Sequence, residues 1–367
     1  MNDLFLERMR EMLKDEYPAY LEKLNNPARK GLRINTLKIT PDDFFACTNY
    51  ELEKSPFAKH GYYANIKSGI GFTPEHMAGF FYIQEPSASS AVTILNPKPG
   101  MKVLDMCAAP GSKSTQIAEM LEQEGLLVAN EIHPTRSRVL LENIERCGSA
   151  NTIVLNNDPK DISKAFPAFF DMVLCDAPCS GEGMFRKEDQ AVEQWSLENV
   201  QACALRQSYI LEEAYKCVKP GGTMVYSTCT FAIEENELCI QKFIQEHPDM
   251  HLVPIEVDFG RKAFDFGCHT DYARRIFPMD GGEGHFIAKL QKDGISTEST
   301  VKLMQSQALP KEAKEFFDTF FVNQYPYYFV KNNKIYGGTQ PFYEVGKCHL
   351  LRHQVFLGEM EKNRFTP

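Results

Sequence analysis

Leu4, Leu6, Met9 and Leu13 recur at helical spacing among charged residues, which predicts a helix over residues 2–14. Pro18 and Pro27 then punctuate the chain. Gly31–Thr40 reads as a strand, with Leu32, Ile34 and Leu37 as candidate inward positions, and Pro41 starts a short helix. Gly61, Gly69 and Gly71 mark loops. Pro74–Phe80 reads as a helix and Tyr82–Ile83 as a short strand. Ser87 is placed to cap a helix running to Leu95. Asn96-Pro97-Lys98-Pro99-Gly100 is a strong break. Beyond it, apolar runs at Lys102–Met106, Leu126–Ile132, Thr152–Asn156, Met172–Asp176 and Thr223–Ser227 alternate with helical patterns. These cover Ser112–Gln123, Pro134–Cys147, Ser196–Val218 and Ile233–Glu246. Such alternation predicts an α/β fold built on a parallel, doubly wound sheet.

The pattern changes after residue 250. Leu252–Val257 and Phe286–Gln291 read as strands separated by a long irregular segment, which fits an antiparallel end to a seven-stranded Rossmann-like sheet. Lys292–Thr300 reads as a linker. Residues 310–319 are helical, Tyr325–Val330 and Lys334–Gly337 are short strands, and Gly338–Leu351 is further β structure. Three modules are expected: a small α+β unit at residues 1–70, a central domain at 71–292 and a β-rich tail at 293–367. The tail is crowded with aromatics from Phe316 to Phe356, interleaved with Lys and Arg. Aromatics of this kind either form the core of a small β module or stack on nucleic-acid bases while the cations meet phosphates.

Composition narrows the class. No apolar run reaches membrane-spanning length, and the N-terminus lacks the charge-then-apolar order of a signal peptide, so a cytoplasmic protein is expected. The eleven cysteines include no C-x-x-C pair, which argues against a zinc site and for free thiols. His349 and His353 are four apart but lack an intervening Glu beside the first, and read as surface or core histidines. The net charge of −9 excludes a global basic field, so any nucleic-acid contact must come from local clusters. Arg29, Lys30, Arg33 and Lys38 form one candidate. Lys331, Lys334, Lys347, Arg352, Lys362 and Arg364 form another. A solvated basic face is the alternative for each.

Candidate chemistry gathers where strands end. The strand Lys102–Met106 breaks into the turn Cys107-Ala108-Ala109-Pro110-Gly111, and a helix starts at Ser112-Lys113. A strand, a tight turn and a helix bring free N–H groups to a nucleotide-like ligand. Glu131 lies 20 residues after Gly111, placed to hold two ribose hydroxyls. No G-x-G-x-x-G is present, so a dinucleotide is disfavoured and S-adenosylmethionine fits. Two further motifs follow the fourth and fifth strands: Asp176-Ala177-Pro178-Cys179-Ser180-Gly181-Glu182-Gly183 and Ser227-Thr228-Cys229-Thr230. Ligands bind outside the carboxyl ends of such strands, so Cys179 and Cys229 belong at the cofactor edge. A thiolate there suits methylation of a pyrimidine at carbon 5, because addition at carbon 6 makes carbon 5 nucleophilic. A helix beginning just after Cys229 would favour its ionisation, and Asp176 could hydrogen-bond the base or protonate it. The aromatic-ended Asn/Asp-Pro-Pro tetrapeptide of adenine methyltransferases is absent.

Asp105–Ser114, Asp176–Gly183 and Ser227–Thr230 resemble motifs I, IV and VI of the Sun/Nop family of RNA cytosine-5 methyltransferases. Arg33-Ile34-Asn35-Thr36-Leu37 resembles that family's N-terminal motif, and Arg275–Pro278 with Gly284–Leu290 its last strand pair. Gly181–Lys187 and the aromatic tail are similar to the bacterial small-subunit ribosomal RNA branch. The resemblance covers essentially the whole chain. It implies that Cys229 is the nucleophile and that Cys179 assists product release. It also implies that Cys107–Lys113, Glu131, Asp158 and Asp176 form the S-adenosylmethionine site. Asp158 either meets the adenine amino group or is a turn residue before Pro159; Lys113 is either a helix-start residue or a substrate contact. RNA is the implied partner, with no metal and no membrane, and a monomer is expected. Branch members continue into a fuller C-terminal RNA-binding module, so a shortened PUA-like tail is expected here. A non-catalytic RNA-binding assembly factor on the same fold is the alternative function. A Rossmann oxidoreductase is disfavoured by the missing glycine fingerprint and by both cysteines.

Overall fold

Five strands buried on both faces make the parallel centre of the molecule. They run in the order Thr152–Leu155, Leu126–Asn130, Lys102–Asp105, Phe170–Asp176 and Val218–Thr228. A computed structural model describes residues 2–65, 69–296, 299–322, 324–362 and 364–367. Residues 1 and 66–68 of the expected first module and 297–298 of the expected linker lie outside the described residues. Val128, Ile153, Val173 and Met224 fill one face of the sheet; Val103, Leu127, Leu174 and Val225 fill the other. Near-continuous apolar strands are what a sheet covered on both sides requires. The helices Ser112–Leu121, Pro134–Cys147, Leu197–Cys217 and Glu237–Glu246 provide that cover.

The expected antiparallel end is present and larger than expected, but its first strand is Met250–Leu252 and not Leu252–Val257. His285–Lys292 pairs antiparallel with Val218–Thr228, Arg274–Ile276 and Arg261–Lys262 extend the sheet, and Met250–Leu252 also pairs with His285–Lys292. The other edge carries a strand from the far end of the chain: Leu350–His353 pairs antiparallel with Thr152–Leu155. The sheet thus has ten strands, the seven-stranded pattern lying within it.

The first segment forms the helices Asp3–Leu13 and Tyr17–Leu24 and a four-stranded antiparallel sheet. Pro18 does not interrupt: it occupies the first turn of the second helix, where its missing N–H costs nothing. The strand Gly31–Ile34 is shorter than the apolar pattern suggested. Asn35 turns the chain, and its Nδ2 donates to the carbonyls of Gly79 and Cys147, both at 2.8 Å. Phe81–Ile83 completes this sheet, so residue 70 falls between its third and fourth strands. Ser87 is not the cap expected. Glu85 accepts from the N–H groups of Ser87 and Ala88, while Ser87 Oγ bonds Glu85 and His285 Nδ1.

Arg33 also departs from expectation. It is 2% exposed and ion-paired with Glu119, and it donates to Gln84, Thr115 and the carbonyl of Ser112. It therefore pins the N-terminal sheet to the helix Ser112–Leu121 and presents nothing to a phosphate. In the tail, the helix Lys311–Phe320 packs on the sheet Tyr327–Lys331, Lys334–Gly338, Val355–Glu361 and Arg364–Thr366. Phe317, Ile335, Leu357 and Phe365 form its core, with Phe329, Tyr336 and Phe342 beside them. Much of the aromatic run thus builds the module itself. Arg352, expected among surface cations, is buried and donates to the Ser149 carbonyl, and burial pushes its pKa down to about 10. His353 is buried and its pKa is pushed down to about 4 by loss of water, while His349 is exposed.

Candidate active site

The turn after Lys102–Asp105 sets one wall. Asp105 is fully buried and accepts from Ser114 Oγ at 2.6 Å; among the described residues its Oδ1 has no partner. Burial pushes its pKa up to about 7. Gly111 turns the chain into the helix Ser112–Leu121 at φ 113°, a conformation that disfavours a side chain. The turn is fastened to its neighbours: Ala108 N–H donates to the Asn130 carbonyl at 2.8 Å, and Arg136 donates to that of Ala109 at 2.9 Å. Burial holds the Cys107 thiol well above its ordinary pKa, as an inert group in this wall.

Glu131 follows the strand Leu126–Asn130. It is buried, accepts from His133 N–H at 2.9 Å and has Arg136 at 3.7 Å. Asp158 caps the helix Pro159–Ala165 by accepting from Lys160 N–H, and also accepts from the Tyr209 hydroxyl. Asp158 is thus a structural cap and a cleft residue at once.

The two cysteine loops meet at the opposite wall. Cys179 Sγ and Cys229 Sγ lie 3.2 Å apart, and Cys229 N–H donates to Cys179 Sγ at 3.3 Å. All eleven cysteines are free. The contact with Cys229, together with burial, pushes the Cys179 thiol well above its ordinary pKa. The regular helix expected just after Cys229 starts only at Glu237, so no helix N-terminus reaches the sulfur. The neighbouring thiol is what the structure places there instead.

Two buried carboxyl groups stitch these loops together. Glu182 accepts from Trp195 Nε1, Thr230 Oγ1 and Phe231 N–H at 2.8–2.9 Å. Glu235 accepts from Ser180 N–H at 3.0 Å and Gln207 Nε2 at 2.7 Å. Gly183 packs so closely that a Cβ would sit 2.7 Å from the Gly284 carbonyl oxygen and 3.0 Å from that of Cys229. Asp176 stands between the walls, bonded to Ser227 Oγ and to Lys113 Nζ, both at 2.7 Å. Burial pushes the Lys113 ammonium down, but Asp176 outweighs it and the net shift is upward.

Between the walls lies a cleft of about 910 Å³. Cys107, Ala109, Glu131, Asp158, Asp176, Cys179 and Cys229 all line it. Ala108, Pro110, Gly111, Ser112 and Lys113 stand behind the lining, and Lys113 acts on the cleft through Asp176. Sequence reasoning missed Ile132, Arg136 and the face of the helix Leu197–Cys217 that presents Asn199, Cys203, Arg206 and Tyr209. Their spacing of three to four residues was readable, but only as one more amphipathic stripe. Among the described residues there is no group of three His, Cys, Asp or Glu suited to a metal ion, and no helix is long and apolar enough to cross a membrane.

Comparisons with known proteins converge. The family described as 16S rRNA methyltransferase RsmB/F matches residues 92–291, and the N-terminal domain of 16S rRNA methyltransferase RsmF matches residues 1–86. The ribosomal RNA small subunit methyltransferase F of Erwinia tasmaniensis is 36% identical over 301 residues, which is 78% of this chain and 63% of that protein. The protein of the same name from Vibrio cholerae serotype O1 is 39% identical over 305 residues, with the same two coverages. The chain therefore spans less than two thirds of the length of these relatives. A methyltransferase homologue from Pyrococcus horikoshii superposes with a TM-score of 0.69 at 30% identity, covering 80% of this chain and 95% of that one. NSun6 from the same organism, solved with SFG, has a TM-score of 0.68 at 22% identity over 79% of this chain and 98% of its own, a likeness of fold.

Proposed function

The chain belongs to the RsmB/F family of 16S rRNA methyltransferases, and we propose that it moves a methyl group from S-adenosylmethionine to carbon 5 of a cytosine in small-subunit ribosomal RNA. The observation that carries this reading is the pair of thiols 3.2 Å apart at the cleft, beside Asp176. The cleft fits an adenosyl sulfonium. Its volume is in the range of small-ligand sites, Glu131 and Asp158 supply acceptors for hydroxyl and amino groups, and Asp105 keeps an unpartnered oxygen behind the turn. When bound, S-adenosylmethionine supplies an electrophilic methyl group.

The protein's own groups do the rest. Cys229, as thiolate, adds to carbon 6 of a base turned out of its stack. Cys179 Sγ, 3.2 Å away, lies close enough to share a proton with that sulfur. Asp176, held by Lys113 and Ser227, faces the ring nitrogens as charge builds on the base. Carbon 5, now enamine-like, takes the methyl group. A base at the cleft then takes the carbon 5 proton, the 5,6 double bond re-forms as the carbon 6–sulfur bond breaks, and Cys229 leaves as its thiolate, the step Cys179 assists. In this reading residues 1–70 and 293–367 guide RNA to the central domain at 71–292, and the protein acts as a monomer in the cytoplasm.

A denaturing gel with substrate RNA tests the assignment. Cys229→Ala should abolish methylation with fold and cofactor binding intact. Cys179→Ala should accumulate RNA joined covalently to Cys229, and the double variant should show no adduct. An adduct in Cys229→Ala would reverse the roles, and full activity in both single variants would exclude thiol chemistry. Bisulfite sequencing of ribosomal RNA from cells with and without the gene locates the target base.

A further inference from the structure

Three asparagines stand at the ends of the strands that carry the adenosyl half of the cleft, and a segment of the tail closes their network. Asn130 Nδ2 donates to the carbonyls of Met106 at 3.2 Å and Asn157 at 3.0 Å, and its Oδ1 accepts from Asn157 N–H at 3.1 Å. Asn156 Nδ2 donates to the carbonyls of Glu131 at 2.7 Å and Ile132 at 3.0 Å. These bonds hold the loops that present Cys107, Glu131 and Asp158. The other half of the network comes from His349. Its carbonyl accepts from Asn156 N–H at 3.0 Å and from Asn157 Nδ2 at 3.2 Å, and its N–H donates to Asn157 Oδ1 at 2.8 Å.

The Asn157 side chain thus pairs with His349 through both its amide oxygen and its amide nitrogen, as a strand backbone would. It adds a rung beyond the pairing of Leu350–His353 with Thr152–Leu155. Beside it, Cys348 is buried and its thiol contacts the carbonyl of Asp161, on the helix that Asp158 caps. None of these tail residues lines the cleft.

We propose that Cys348–His353 is part of the scaffold of the cofactor site, with Asn157 as the positioning residue that transmits its order to Glu131 and Asp158. The proposal rests on the reading of the cleft as an S-adenosylmethionine site. The tail then sets cofactor affinity from behind the wall, in addition to any part it takes in binding RNA. Removing the Asn157 amide unpairs the His349 N–H, leaves its carbonyl with the Asn156 N–H alone and loosens the Asp158 loop, which should weaken binding about tenfold.

Calorimetric titration of S-adenosylhomocysteine into the full chain is the test. Asn157→Ala should bind about tenfold more weakly. Its KM for S-adenosylmethionine should rise while kcat at saturating cofactor and KM for RNA stay within about twofold, a split that a merely unstable enzyme would not show. His349→Pro removes the amide donor from the tail's side without touching the loop and should weaken binding in the same direction. In the unaltered chain, S-adenosylhomocysteine should slow hydrogen exchange at the amides of 349 and 352–354. Unchanged exchange there overturns the proposal even if the variants fold poorly, and unchanged affinity in folded variants overturns it too. If the unaltered chain does not bind S-adenosylhomocysteine, the reading of the cleft fails first and takes this proposal with it.

Discussion

Glu235 sits among hydrogen-bond donors but out of reach of bulk water. Burial pushes its pKa up to about 7, against the pull of Ser180 and Gln207. The folded state therefore holds a proton that the unfolded state releases near pH 4.5. This contribution to stability is fully present below that pH and is lost as pH rises through about 7. Glu235→Gln keeps an oxygen for both donors and removes the titration. The variant's melting temperature should rise relative to the unaltered chain between pH 5 and pH 8, by the equivalent of about 1–3 kcal/mol. A constant gap across that range would exclude the titration. On the proposed function Glu131→Ala removes a charge-assisted acceptor for the ribose, and it should weaken cofactor binding at least about tenfold by calorimetry. Cys179, Cys229, Asp176, Glu131 and Asp158 were legible as a group because all follow strands of one parallel sheet, whose ends share an edge. Arg33 and Arg352 were not. A cation in a sequence reads as exposed, and only the fold reveals that Glu119 waits for one, and the Ser149 carbonyl for the other, far along the chain.

Arg33 ties a strand to a helix, and its loss should be felt as a loss of that tie. Arg33→Met leaves the buried Glu119 carboxyl without its partner, which should cost about 3–5 kcal/mol in urea denaturation. Replacing both partners with apolar residues should recover most of this, whereas Arg33→Lys should not, because an ammonium cannot reach four acceptors in a plane. Equal stability of Arg33→Met and the unaltered chain would show that the clasp is idle. Element types were readable wherever the period was unambiguous, and Pro134–Cys147 matches residue for residue. Ends were readable only where a cap was local. Ser196, read as the first residue of its helix, caps it one position out, whereas Glu85 displaces Ser87 because a carboxylate two residues upstream accepts both free N–H groups. The missed helices Tyr17–Leu24 and Pro159–Ala165 both begin with a proline in the first turn. A proline there starts a helix as readily as it ends one.

On the proposed function, a chain with a net charge of −9 has to meet RNA through patches. Arg29, Lys30 and Lys38 remain exposed at the N-terminal sheet, as do Lys331, Lys334, Lys347, Lys362 and Arg364 on the tail. Replacing Arg29, Lys30 and Lys38 together should flatten the dependence of log K on log salt by roughly 0.7–0.9 for each phosphate that is no longer neutralised. An unchanged slope in filter-binding titrations would mark these residues as an ordinary solvated face. The three-layer core was readable from periodicity. The strand that finishes the sheet was not, because Leu350–His353 has no local signal for its partner; Asn157 and His349 are 192 positions apart. That distance bears on how the protein is made. During synthesis the parallel strands can assemble while the tail is still being added, at about 5–20 residues per second. For that interval the strand Thr152–Leu155 has an open flank, with unpaired N–H and C=O groups offered to any passing chain. The nascent protein is then open to mispairing along the flank that Leu350–His353 comes to cover, and chaperones that hold nascent chains would act on that flank.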